Sequence, residues 1–114
     1  MENNLMAEEI AEKIIKGLKI HFGKKVNNFA IYNITDTPYK MFNISFESYN
    51  YFYINFSFSK GSIGCSIING KYGIDLNNSQ KWYDTADIDI FLQELQQQIE
   101  LRIPDKFLEY HGWK

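Results

Sequence analysis

Between Met41 and Leu76 the apolar residues fall on every second position, and this alternation constrains the chain more than any other feature. Phe42, Ile44 and Phe46 alternate with Met41, Asn43, Ser45 and Glu47, and Phe52, Ile54, Phe56 and Phe58 alternate with Tyr53, Asn55, Ser57 and Ser59. Successive strand residues point to opposite sides, so the pattern describes a sheet with one apolar and one mostly polar face. The turns can be tested against it. Pairing Phe46 with Phe52 across Glu47–Tyr51 sets Ile44 opposite Ile54 and Phe42 opposite Phe56. Pairing Phe58 with Ile63 sets Phe56 opposite Cys65 and Ile54 opposite Ile67. Asn69-Gly70 is a favoured type I′ pair and sets Ile68 opposite Lys71, hence Ile67 opposite Tyr72, Cys65 opposite Ile74 and Ile63 opposite Leu76. All three turns keep the same side chains on one face, which predicts an antiparallel meander, since a one-residue slip would turn a whole strand over.

Helices are expected on either side of it. Residues 5–22 carry Met6, Ile10, Ile14, Leu18 and Phe22 at helical spacing, with acids early, lysines late and Gly23 as a stop. Phe29–Ile34 reads as a further strand of ambiguous register, followed by a turn at Thr35–Pro38, and Leu76 to Tyr83 reads as a loop. Ile88, Phe91, Leu92, Leu95 and Ile99 give the next helix its buried stripe. Pro104 suits the first turn of a short last helix, with Gly112 ending it and Trp113 folding back. The expected architecture is α+β and a single domain over residues 1–114. An N-terminal helix precedes a four- to five-stranded antiparallel meander, and one long and one short C-terminal helix follow, packed on one face of the sheet.

Composition excludes several classes. Hydrophobic residues at 45% and aromatics at 17% argue against disorder. No apolar run reaches the ~18 residues of a membrane span, and Met1-Glu2-Asn3-Asn4 has no leader character, so a cytoplasmic protein without membrane partners is expected. Residues 1–60 carry seven Lys/Arg against six acids and residues 61–114 five against eight, a balance unlike a nucleic-acid binder's and weakly suited to a basic partner. Cys65, alone and on an apolar strand, reads as a buried thiol.

Catalytic signatures are sparse. Gly17 to Gly23-Lys24 lacks P-loop spacing, the stretch from Asp75 lacks the glycine and glutamate of a calcium loop, and the Asn-X-Ser/Thr matches follow from polar strand positions. Asp84, Asp87 and Asp89 cluster where a helix start favours acids. His21 and His111 sit near helix ends without a partner constellation. The expectation is a protein that is no enzyme, with no cofactor, no metal and no small-molecule ligand.

The C-terminal run Leu101-Arg-Ile-Pro-Asp-Lys-Phe-Leu-Glu-Tyr-His-Gly-Trp113 resembles the ending of small immunity proteins from bacterial contact-dependent growth inhibition and related polymorphic toxin systems. Size, acidic bias and the helix–meander–helix layout fit as well. The close resemblance covers about a tenth of the chain, and its residues are structural in character, so it carries over no binding site. It implies a cytoplasmic protein that binds and neutralises one cognate toxin domain, often a nuclease. The alternative is a small non-catalytic interaction or adaptor domain unrelated to toxins. In either case the odd-numbered sheet face left open by the helices is the expected partner surface, presenting Asn43, Ser45, Glu47, Tyr51, Tyr53, Asn55 and Asp75. Asp84 and Asp87 form the rival surface.

Overall fold

A computed structural model of the chain describes residues 6–69, 72–75, 81–82 and 88–113. It has the expected α+β layout. Helix α1 (Ala7–Phe22) and a short 3-10 turn (Gly23–Lys25) lead into five antiparallel strands paired in sequence order. These are β1 (Val26–Thr35), β2 (Met41–Ser48), β3 (Phe52–Ser59), β4 (Ser62–Asn69) and β5 (Tyr72–Asp75). A two-residue strand β6 (Lys81–Trp82) also pairs with β4, and helices α2 (Ile88–Glu100) and α3 (Asp105–Tyr110) follow.

The two-residue period assigns the faces as expected. Phe42, Ile44, Phe46, Ile54, Phe56 and Phe58 are buried, and Ile63, Cys65 and Ile67 of β4 join them. Helix α1 covers this side with Ile10, Ala11, Ile14, Leu18 and Phe22, and α2 with Phe91, Leu92, Leu95 and Ile99. Phe42 stacks on Phe58 at 4.9 Å, and Phe91 meets Phe56 edge-on at 6.0 Å. Met6 and Phe52 depart from the expected core: Met6 is exposed at the start of α1, and Phe52 is only partly buried.

Register follows the reading for β3 and β4, where Phe58 faces Ile63 and Ile54 faces Ile67. Two other hairpins differ by two residues. Phe46 faces Ile54 and Phe42 faces Phe58, so the β2–β3 loop is Tyr49–Tyr51, shorter than expected. Asn69 faces Tyr72 and Ile67 faces Ile74, so the pairing of Ile68 with Lys71 is replaced by Ile68 with Gly73. Both slips are even, and the facing therefore survives them. The physical reason at β2–β3 is that Tyr49 and Asn50 both adopt positive φ (57° and 53°), which closes a three-residue turn. Strand β1 runs from Val26 and holds two one-residue bulges, between Asn27 and Ala30 and between Tyr32 and Thr35, each containing an asparagine at positive φ.

The helix ends are closed by named contacts. The Ala7 N–H donates to the Asp36 carboxylate at 2.8 Å, a cap supplied from the β1–β2 connection, and Glu9 accepts from the Met6 N–H at 3.1 Å. At the far end Trp113 N–H reaches the Leu108 carbonyl and Gly112 N–H the Glu109 carbonyl, with Gly112 at φ 74°. That is a Schellman closure, and it returns Trp113 to the core.

Candidate functional site

With α1 and α2 on one side, neither helix covers the other side of the sheet among the described residues. Register arranges it in rows across the strands. Asn27, Glu47, Tyr53, Ile68 and Gly73 form the first, and Ala30, Ser45, Asn55, Ser66 and Asp75 the second. Tyr32, Asn43, Ser57 and Gly64 form the third, and Thr35, Met41, Ser59, Ser62 and Trp82 the fourth. Serine, asparagine, tyrosine and glycine dominate. Among these described positions the charged residues are two acids, Glu47 and Asp75, and there is no lysine or arginine.

Asparagines tie the middle of this face together. The Tyr32 hydroxyl donates to Asn55 Oδ1 at 2.6 Å, Asn43 Nδ2 donates to the same oxygen at 3.3 Å, and Asn33 Nδ2 donates to Asn43 Oδ1 at 3.3 Å. Asn33 can reach inward because its bulge turns the backbone there. Asn28, in the other bulge, donates to Glu47 Oε1 at 3.1 Å. Tyr53 and Ile68 stand opposite each other on β3 and β4 with 43% and 37% of their surface exposed.

The structure thus brings together Asn43, Glu47, Tyr53 and Asn55, and the backbone of Asp75 joins their sheet. It separates Tyr51 from them. Tyr51 lies in the β2–β3 turn, and its ring meets Phe107 of α3 edge-on at 4.8 Å. Asp84 and Asp87 lie outside the described residues, while Asp89 is exposed in the first turn of α2. Tyr32, Asn33 and Asn28 were not legible as part of the face, because the bulges break the β1 alternation that would have marked them.

A second polar group lies on the helix side. Tyr49, fully buried, donates to Glu100 Oε2 at 2.5 Å, and Gln96 Nε2 donates to the same oxygen at 3.0 Å. His21 Nε2 contacts Gln96 Oε1 at 2.9 Å, which requires the proton on that ring nitrogen. Burial, reinforced by the Glu100 carboxylate, pushes the Tyr49 hydroxyl far above the ordinary tyrosine range. This chain joins α1, the β2–β3 turn and α2. His111 stacks on Trp113 at 4.8 Å. Both imidazoles are thus engaged in packing or bridging contacts.

A cleft of about 510 Å³ between α2 and α3 is lined by Gln97, Glu100, Leu101, Ile103, Asp105 and Leu108. Its described lining residues include two acids, Glu100 and Asp105, and no serine, cysteine or histidine. Among the described residues no three His, Cys, Asp or Glu side chains come together as a metal site, and no helix is long and apolar enough to cross a membrane. No protein-family model, curated protein or solved structure matches the chain.

Proposed function

We propose that this chain is an immunity protein that binds a cognate toxin domain, such as a nuclease, in the cytoplasm and neutralises it without catalysis. The observation that carries this is the sheet face turned away from the helices, whose described register positions hold mainly Tyr, Ser, Asn and Gly with two acids and no lysine or arginine. Tyrosine offers a large, rigid contact at low entropic cost, and serine and asparagine supply adaptable hydrogen bonds, a pairing that antibody paratopes also use. The Asn33–Asn43–Asn55–Tyr32 bonds hold that surface ready before a partner arrives. The C-terminal likeness to immunity proteins and the acidic bias of residues 61–114 give the partner its class.

Co-expression with candidate toxin domains, those of adjoining genes first, tests the reading. The wild-type chain should protect the host cell and elute with the toxin domain as one complex. H21A and H111A should protect equally. Binding without protection would leave an adaptor domain, and loss of protection in a folded histidine variant would restore an enzymatic role.

A further inference from the structure

Resting on the reading that the open face receives the toxin domain, we propose that the row Glu47–Tyr53–Ile68 is the energetic centre of that contact. In this scheme it takes an arginine or lysine of the partner flanked by an apolar side chain.

The open face divides into two parts by hydrogen-bond state. Asn33, Asn43, Asn55 and Tyr32 bond to one another, so a partner engaging them exchanges existing bonds for new ones with little net gain. Glu47 differs. A carboxylate has about four acceptor positions, and here Asn28 fills one of them. No lysine or arginine occupies a described register position of the face, so among these positions the carboxylate has no cationic partner.

Directly across the strands from Glu47 stand Tyr53 and then Ile68, both substantially exposed. Neighbouring Cβ atoms in such a row are about 4.5–5.5 Å apart, so the three side chains form one continuous patch. A guanidinium satisfies both halves of it, pairing with the carboxylate by two hydrogen bonds and lying on the tyrosine ring. Ile68 then provides the apolar contact beside it. Eight-residue strands at about 3.4 Å per residue, over four spacings of about 4.8 Å, give the face roughly 500 Å² in plan. That is more than half of the ~800 Å² each partner contributes to a standard interface.

Titration calorimetry of the purified full chain with the toxin domain against which it protects in co-expression, at low and physiological salt, tests this. E47Q and Y53A should each weaken binding roughly tenfold to a hundredfold, with E47Q also flattening the salt dependence. E12Q, at an exposed acid of α1 on the other side of the sheet, should stay within about threefold of the wild type, as expected for a charge outside the contact. Wild-type binding that E47Q and Y53A leave unchanged overturns the row while the neutralising role stands. So does binding abolished by D84A or D87A alone, which moves the contact to the residues before α2. No binding by the wild type overturns both. Light scattering that finds a wild-type dimer returned to monomer by Y53A gives the face to a second copy of this chain and also overturns the proposal.

Discussion

Replacing Phe56 with alanine removes a ring that is 1% exposed at the centre of the sheet, between Ile44 on β2 and Cys65 on β4 and beneath Phe91 of α2. A phenylalanine buries about 150–200 Å², which at ~25 cal/mol per Å² is worth roughly 4 kcal/mol before the retained methyl group is subtracted. The edge-on contact with Phe91 adds about 0.5–1.5 kcal/mol, and the cavity adds a further cost because two strands and a helix cannot all close on it. An expected loss of about 4 kcal/mol agrees with the ~3–5 kcal/mol typical of such truncations. With a urea m-value of about 1.5 kcal/mol/M, the unfolding midpoint should fall by roughly 2.5 M. Tyr53→Ala, on the opposite face of the same strand, should cost less than about 1 kcal/mol. A Phe56→Ala midpoint shifted by under about 0.7 M at unchanged m-value would refute the assignment of this face to the core.

Tyr49→Phe leaves Glu100 short of a donor and should cost about 1–3 kcal/mol at pH 7. Because the folded state holds the Tyr49 proton more tightly than the unfolded state, this stabilisation is complete below the unfolded pKa of ~10 and is lost as pH rises above it. The gap between wild-type and Tyr49→Phe midpoints should therefore narrow between pH 9 and 11, and a constant gap would contradict the buried phenol. Cys65 is enclosed, and burial pushes its thiol well above the ordinary range, so a thiol reagent should label it only after urea unfolds the chain. Asp36→Ala removes the cap from α1 and should lower stability by about 1 kcal/mol in thermal unfolding. Gly112→Ala, forced into φ 74°, should cost a similar amount, about 1 kcal/mol, by the same measurement.

Facing was legible in the sequence because a period of two survives any even slip, which is why Phe42 through Phe58 fell on the right side although two hairpins shifted. The slips themselves were not legible. Nothing local announces that a tyrosine at position 49 will take positive φ and turn inward, since its reward comes from Glu100, fifty-one residues away. The Asp36 cap on α1 is equally remote, twenty-nine residues from Ala7. On the open face Asn43, Glu47, Tyr53 and Asn55 followed from alternation, whereas Tyr32 and Asn33 depended on bulges that only pairing with β2 reveals.

Those bulges bear on how the molecule meets others. Strand β1 ends the sheet on one side, and its ladder is regular between the two bulges only from Ala30 to Tyr32, about 10 Å at ~3.3 Å per residue. Beyond either asparagine the ladder falls out of phase. Three residues are too few to template a lasting added strand, so this border resists the strand-by-strand growth that leads to fibres. Backbone pairing along this border is thereby disfavoured, which leaves side chains rather than main-chain groups as what the sheet offers to a neighbour.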